Sequence, residues 1–156
     1  MIVNVCARRW GLVARVARFV DFGPLEDSLR KRLDAAMKIS AEYQANTKPG
    51  VSAGEIVGKA KQWFAEEGFA GDWEMHHQGG AIGYAEREWL AVPDSTQLIL
   101  DHQAVAWNPI IRGALSFDTI LVDGDHIENL TQTRDWPSKP IRIGGKTYPM
   151  PDILIR

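Results

Sequence analysis

The chain predicts an α+β fold, a mainly antiparallel sheet with helices packed on one side. Three observations predict it. Two short segments rich in Val, Ile and Phe turn around Arg8-Arg9-Trp10-Gly11. Two stretches of helical spacing are joined by Pro49-Gly50. Several β-like segments follow Phe69. Strands first, then a helix pair, then more strands is the order of a segregated α+β layer arrangement.

The first strands are expected at Ile2 to Ala7 and Leu12 to Val20, with Gly11 where a hairpin needs it. The competing reading, a basic targeting or amphipathic helix, rests on Arg8, Arg9, Arg15 and Arg18 with no acid before Asp21. From Pro24 to about Asn46, Leu25, Leu29, Leu33, Ala36-Met37 and Ala41 recur at three- and four-residue spacing, which is a helix with one apolar face. Ser52 with Glu55 three residues on has the form of a capping box. The helix it opens carries Ile56, Ala60, Trp63 and Phe64, and Gly68 ends it. Further strands are expected near Gly83 to Glu88, Leu98 to Leu100, Gln103 to Trp107, Thr119 to Val122 and His126 to Glu128. Asp123-Gly124-Asp125 is read as the turn between the last two. The proline-punctuated tail from Trp136-Pro137 to Pro151 is expected to wrap the surface.

With 156 residues the chain fits one domain and one core. Its 45% hydrophobic and 24% charged content is that of an ordinary globular protein. A formal charge of −2 gives no general attraction to nucleic acid or membrane, and no apolar run reaches a spanning length. Cys6 is the only cysteine, so an internal disulfide and a thiolate cluster are excluded, and a reducing cytoplasm is the expected location.

The segment His76-His77-Gln78-Gly79-Gly80-Ala81-Ile82-Gly83 is the most site-like in the chain. Its histidines titrate near neutral pH, and its glycines admit a close approach of ligand or backbone. This segment, the hairpin Asn4 to Arg15 with its eleven-residue spacing and following Ala17-Arg18, the turn Lys48-Pro49-Gly50, the strand Val105 to Pro109 and the strand Ser116 to Val122 stand in a fixed order. That order resembles the catalytic domain of the pita-bread superfamily: methionine aminopeptidase, prolidase, Xaa-Pro aminopeptidase and creatinase. The resemblance runs from Met1 to about Thr131. It implies a curved sheet, a partial pita-bread fold, with residues 1–156 as a C-terminal portion lacking the family's preceding segment.

The same register implies that the five metal positions hold Asn4, Arg15, Gly80, Asn108 and Phe117. Divalent cations need anionic oxygen and imidazole donors, so this set implies no metal and no other cofactor. A separate mononuclear site from His76, His77, His102 and His126 lacks ligand spacing and a carboxylate. What remains is His76 as a proton-transfer group with His77 beside it, and Arg15, Asn4, Asn108, Gly79 and Gly80 as substrate-binding positions. Each also has a plain structural reading: a strand-end histidine, a solvated strand arginine, an Asn-Pro turn, a glycine bulge. Arg87 and Glu88 are expected to form a surface ion pair.

Two functions follow from the resemblance. One is a prolidase-like hydrolase without its dinuclear centre, metal-independent like creatinase or inactive, facing a small molecule or short proline-containing peptide. The other is a non-catalytic ligand-binding or assembly module. An enzyme needs His76 reachable from a pocket, whereas a scaffold can bury it. Six tryptophans and apolar surface predict a homo-oligomer.

Overall fold

A computed structural model describes residues 1–156. β1 (Ile2–Arg9) and β2 (Leu12–Asp21) form the expected hairpin, each running slightly further than predicted. Arg9 pairs with Leu12, so Trp10-Gly11 is a two-residue loop. Trp10 at φ 52° and Gly11 at φ 85° both take the left-handed backbone that a primed hairpin turn requires. The strand reading of the basic N-terminus therefore holds, and the helical one does not. All eight residues of β1 are exposed, and β2 is its only sheet neighbour.

Helix α1 (Asp27–Asn46) begins after an extended Glu26, leaving Pro24 and Leu25 outside it. One of its faces places Leu33, Met37 and Ala41 against Phe19, Met150 and Ile153. Another places Ile39 and Tyr43 against helix α2 (Ala53–Glu66) and the central sheet. The helix therefore lies between two apolar clusters, which is why it carries buried residues around much of its circumference. In α2 only half of the capping box forms. Ser52 Oγ accepts from Glu55 N–H at 3.0 Å, while the Glu55 carboxylate pairs with Lys59 at 2.9 Å.

After a 3-10 turn (Asp72–Met75) come β3 (Gly79–Ala81), β4 (Trp89–Leu90), β5 (Ala104–Trp107), β6 (Ile110–Ile111), β7 (Ala114–Leu115), β8 (Asp118–Asp123) and β9 (His126–Asn129). An antiparallel five-stranded sheet runs in the order β4-β3-β5-β8-β9, and β6-β7 is a separate small hairpin. Two expected strands are absent. Residues 83–88 form a series of bends, and Leu98 makes only an isolated bridge to Ser52. The first error has a clear cause. Glu88 Oε1 accepts from the backbone N–H groups of Tyr84 and Ala85 at 2.7 and 3.0 Å, closing the segment on itself instead of letting it pair.

The tail is a second correction. It does not wrap the surface but forms β10 (Ser138–Ile143), β11 (Lys146–Pro151) and β12 (Ile153–Ile155). The β10–β11 hairpin turns at Gly144-Gly145, and Pro140 faces Pro149 across it. β12 then pairs parallel to β2, Ile153 with Phe19. No helix is long and apolar enough to cross a membrane.

A buried polar chain ties the helices to the sheet. Tyr43 stacks on Trp107 with ring centroids 4.7 Å apart and meets Trp63 edge-on at 5.2 Å. Trp107 Nε1–H donates to Thr47 Oγ1 at 2.8 Å, whose hydroxyl donates to Tyr43 O at 2.6 Å. The Tyr43 hydroxyl donates to Gln78 Oε1 at 3.0 Å. Burial pushes the Tyr43 phenol well above its usual range, so it remains a donor at any physiological pH.

Candidate functional site

Gln78 fixes the shape of the histidine segment. It is 3% exposed, and its Nε2 donates to the carbonyls of Trp73 and His76 at 2.7 and 2.9 Å. Held from below by Tyr43 and from within by its own amide, the segment leaves His76 exposed and His77 half-buried. The two imidazoles lie 4.2 Å apart. Both line an open pocket of about 360 Å³ with Trp73, Glu74, Val92 and Pro93.

Asn108 connects these histidines to the arginines. Arg87 Nη2 donates to Asn108 Oδ1 at 3.0 Å. Because a guanidinium has no acceptor, this contact determines which end of the amide is oxygen. The Asn108 Nδ2 group is then left to face His76 Nδ1 at 3.0 Å and the His77 carbonyl at 3.1 Å. His76 Nδ1 also lies 2.9 Å from the His77 carbonyl. That nitrogen therefore has an amide donor beside it when unprotonated and a carbonyl acceptor beside it when protonated. Either tautomer is supported, and Nε2 is left free to give or take a proton.

Arg15 on β2 and Arg87 before β4 both reach Phe117, with guanidinium carbons 5.1 and 5.8 Å from its ring centroid. Arg15 Nη1 lies 3.8 Å from Glu86 Oε2, and Arg87 Nη1 donates to the Glu86 carbonyl at 2.8 Å. Burial, then the Arg15 charge, lowers Arg87 to about 10. Burial, then the charges of His76, Arg87 and Arg15, lowers His77 to about 4, so it is neutral at pH 7. Burial and Glu86 push the Cys6 thiol up, so this residue, opposite Arg15 in the hairpin, carries no charge either.

Of the sequence-derived site residues, His76, His77, Asn108 and Arg15 converge. Asn4 is on the same hairpin, opposite Ala17, but is exposed. Gly79 and Gly80 do not offer room to a ligand. Both are buried, and the close approach that they permit is between strands. A Cβ on Gly79 would overlap the Ala106 carbonyl and one on Gly80 the Trp89 carbonyl, while φ is 128° and 154°. Nor do Arg87 and Glu88 pair: Glu88 caps the bend and Arg87 turns inward to Asn108. His102 sits with Asp101 and Asp123 at 3.4 and 3.5 Å instead of with His76. Gln78 carries no recognisable role in the sequence, and Arg87 is expected at the surface. Position 87 lies among polar residues with no periodicity, so its inward turn had no signal.

The donor set does not fit a pair of divalent cations. At the five positions that the resemblance assigns to metal ligands stand a guanidinium, a phenyl ring, two carboxamides and a glycine whose backbone excludes any side chain.

No family model matches the chain. Among curated proteins, agropine synthesis cyclase of Rhizobium rhizogenes is 31% identical over 114 residues, which are 69% of this chain and 28% of that protein. Among solved structures, X-Pro aminopeptidase from Thermotoga maritima matches with a TM-score of 0.77 at 15% identity, over 99% of this chain and 41% of its own. Xaa-Pro dipeptidase from Bacillus anthracis matches with a TM-score of 0.76 at 18% identity, also over 99% of this chain and 41% of its own. The chain thus spans about two fifths of the length of these structures. It has the fold of the C-terminal part of the pita-bread peptidases.

Proposed function

We propose that this chain is a metal-independent, hydrolase-like version of that fold, acting on a small amide or short proline-containing peptide with His76 as the proton-transfer group. One observation carries the reading: His76 is exposed, lines a pocket of about 360 Å³, and has Nδ1 held between an amide donor and a carbonyl acceptor. A scaffold has no need of that arrangement. In this reading Nδ1 keeps its hydrogen and donates it to the His77 carbonyl, so that the bare Nε2 removes a proton from the attacking group and returns it to the leaving nitrogen. Neutral His77 packs against the working ring and keeps it in place. The named activity of the curated relative, a cyclase and not a peptidase, fits a fold whose chemistry has moved away from metal-assisted peptide hydrolysis.

A second reading, a binding or assembly module, is favoured by β1, which is exposed along its whole length and pairs on one side only.

The test is elemental analysis of the purified protein with a thermal-shift titration of manganese, cobalt and zinc. No bound metal and no shift are expected. Stoichiometric metal with clear stabilisation would overturn the reading. Loss of turnover on Xaa-Pro dipeptides in His76→Ala, with unchanged melting, would then separate the enzyme from the module.

A further inference from the structure

We propose that Arg15 and Arg87 together anchor the carboxylate of a small amide-bearing ligand. The inference deepens the metal-free reading of the same site and rests on it.

Phe117 is 2% exposed and forms an apolar floor under both guanidiniums. The Nε of each arginine is buried without a hydrogen-bond partner. Arg87 is held in place by the Glu86 carbonyl and Asn108, both neutral groups. The one carboxylate near Arg15 is that of Glu86, at 3.8 Å, beyond hydrogen-bond range, on a side chain 59% exposed. Such an exposed partner screens little. Two like charges are thus brought over one ring with a single, loosely placed counter-charge, and His77 and Cys6 beside them are neutral at pH 7.

This arrangement leaves one unit of positive charge unmatched. A singly charged carboxylate cancels it. Planar guanidinium forks on an aromatic surface also suit a planar anion. Asn108 accepts from Arg87 through its Oδ1 and faces His76 through its Nδ2, so one amide separates the arginines from the imidazole.

The experiment is calorimetric titration of the purified chain with N-acetyl-L-proline at pH 7 and fixed ionic strength, with inorganic phosphate and chloride as comparison anions. Saturable one-to-one binding of the carboxylate is expected, at least tenfold tighter than phosphate. Arg15→Gln and Arg87→Gln should each weaken it at least tenfold. Should a Gln variant fail to fold, Arg15→Lys and Arg87→Lys, which keep the charge and lose the fork, are expected to weaken binding at least threefold. Absence of saturation, tighter binding of phosphate, or Gln or Lys variants that bind like the parent would overturn the proposal. Binding is read without turnover. Absent hydrolysis counts against the enzyme reading alone, and absent saturation counts against the anchor alone.

Discussion

Arg18 and Asp118 form a buried ion pair, Nη2 to Oδ1 at 2.8 Å, with side chains 8% and 1% exposed. It joins β2 to β8, beside the bridge from Ala17 to Phe117 and the hydrogen bonds between Thr119 Oγ1 and the Arg15 backbone. Arg18 also donates to the carbonyls of Ala17 and Thr131, and Thr131 Oγ1 donates to Asp118 at 2.7 Å. Burial nevertheless pushes the Asp118 carboxyl up, because Arg18 and Thr131 offset the lost hydration only in part. Asp118→Ala should therefore strand a buried cation and cost about 3–5 kcal/mol, read as a lower urea midpoint. An apolar double replacement, Arg18→Met with Asp118→Leu, should recover most of it. A single-variant cost below about 1 kcal/mol would show that the pair does not hold the two sheets together.

Gly80→Ala should destabilise the chain by about 3 kcal/mol or more, since the methyl meets a carbonyl oxygen and the φ of 154° disfavours any side chain. Gly80→His should do at least as much harm and should not create a metal ligand. A Gly80→Ala variant that melts within a few degrees of the parent would refute the strand-packing account.

Acid should weaken the fold through His77. Its folded value near 4 lies below the ordinary 6.5, so between these limits the unfolded chain binds the proton and the native one does not. Stability therefore rises with pH across that window, and lowering pH from 7 to 4.5 removes about 1 kcal/mol through this residue once solvent screening of the half-buried ring is allowed for. Urea midpoints of the parent and His77→Gln at both values test this. The parent should lose more than the variant. Parallel losses would show that His77 does not contribute the slope.

Association is expected along β1. Its outer edge carries Val3 and Val5, 40% and 44% exposed, without the proline, lysine or bulge that usually blunts such an edge. Light scattering at micromolar concentration should show a dimer or larger species, and Val3→Lys with Val5→Lys should return a monomer. A parent that scatters as a clean monomer would contradict the homo-oligomer.

Much of this architecture was legible where residue pattern and local geometry coincide. The Trp10-Gly11 hairpin, the periodic α1 and the Ser52 cap each depend on neighbours within a few residues. The tail failed for the opposite reason. Its prolines suggested irregular chain, yet Ile141, Ile143, Tyr148 and Met150 pack onto the far cluster around Phe19, a partner that no local window contains. Within the site, His76, Arg15 and Asn108 were named because the resemblance aligned them, and the fold gathers them in one region. The glycines were misread because open backbone admits a strand as readily as a ligand. Arg87 was placed wrongly because its inward turn depends on Asn108, twenty-one residues away.

The parallel seating of β12 on β2 has a consequence for biosynthesis. Phe19 meets its strand neighbour Ile153, and Met150 fills the same cluster, only after more than a hundred further residues have been made. Non-local pairing of this kind is slow to form, so the apolar flank of β2 and the underside of α1 must wait uncovered during translation. A nascent chain stalled before residue 150 should consequently recruit chaperones, while emergence of β12 seals the seam.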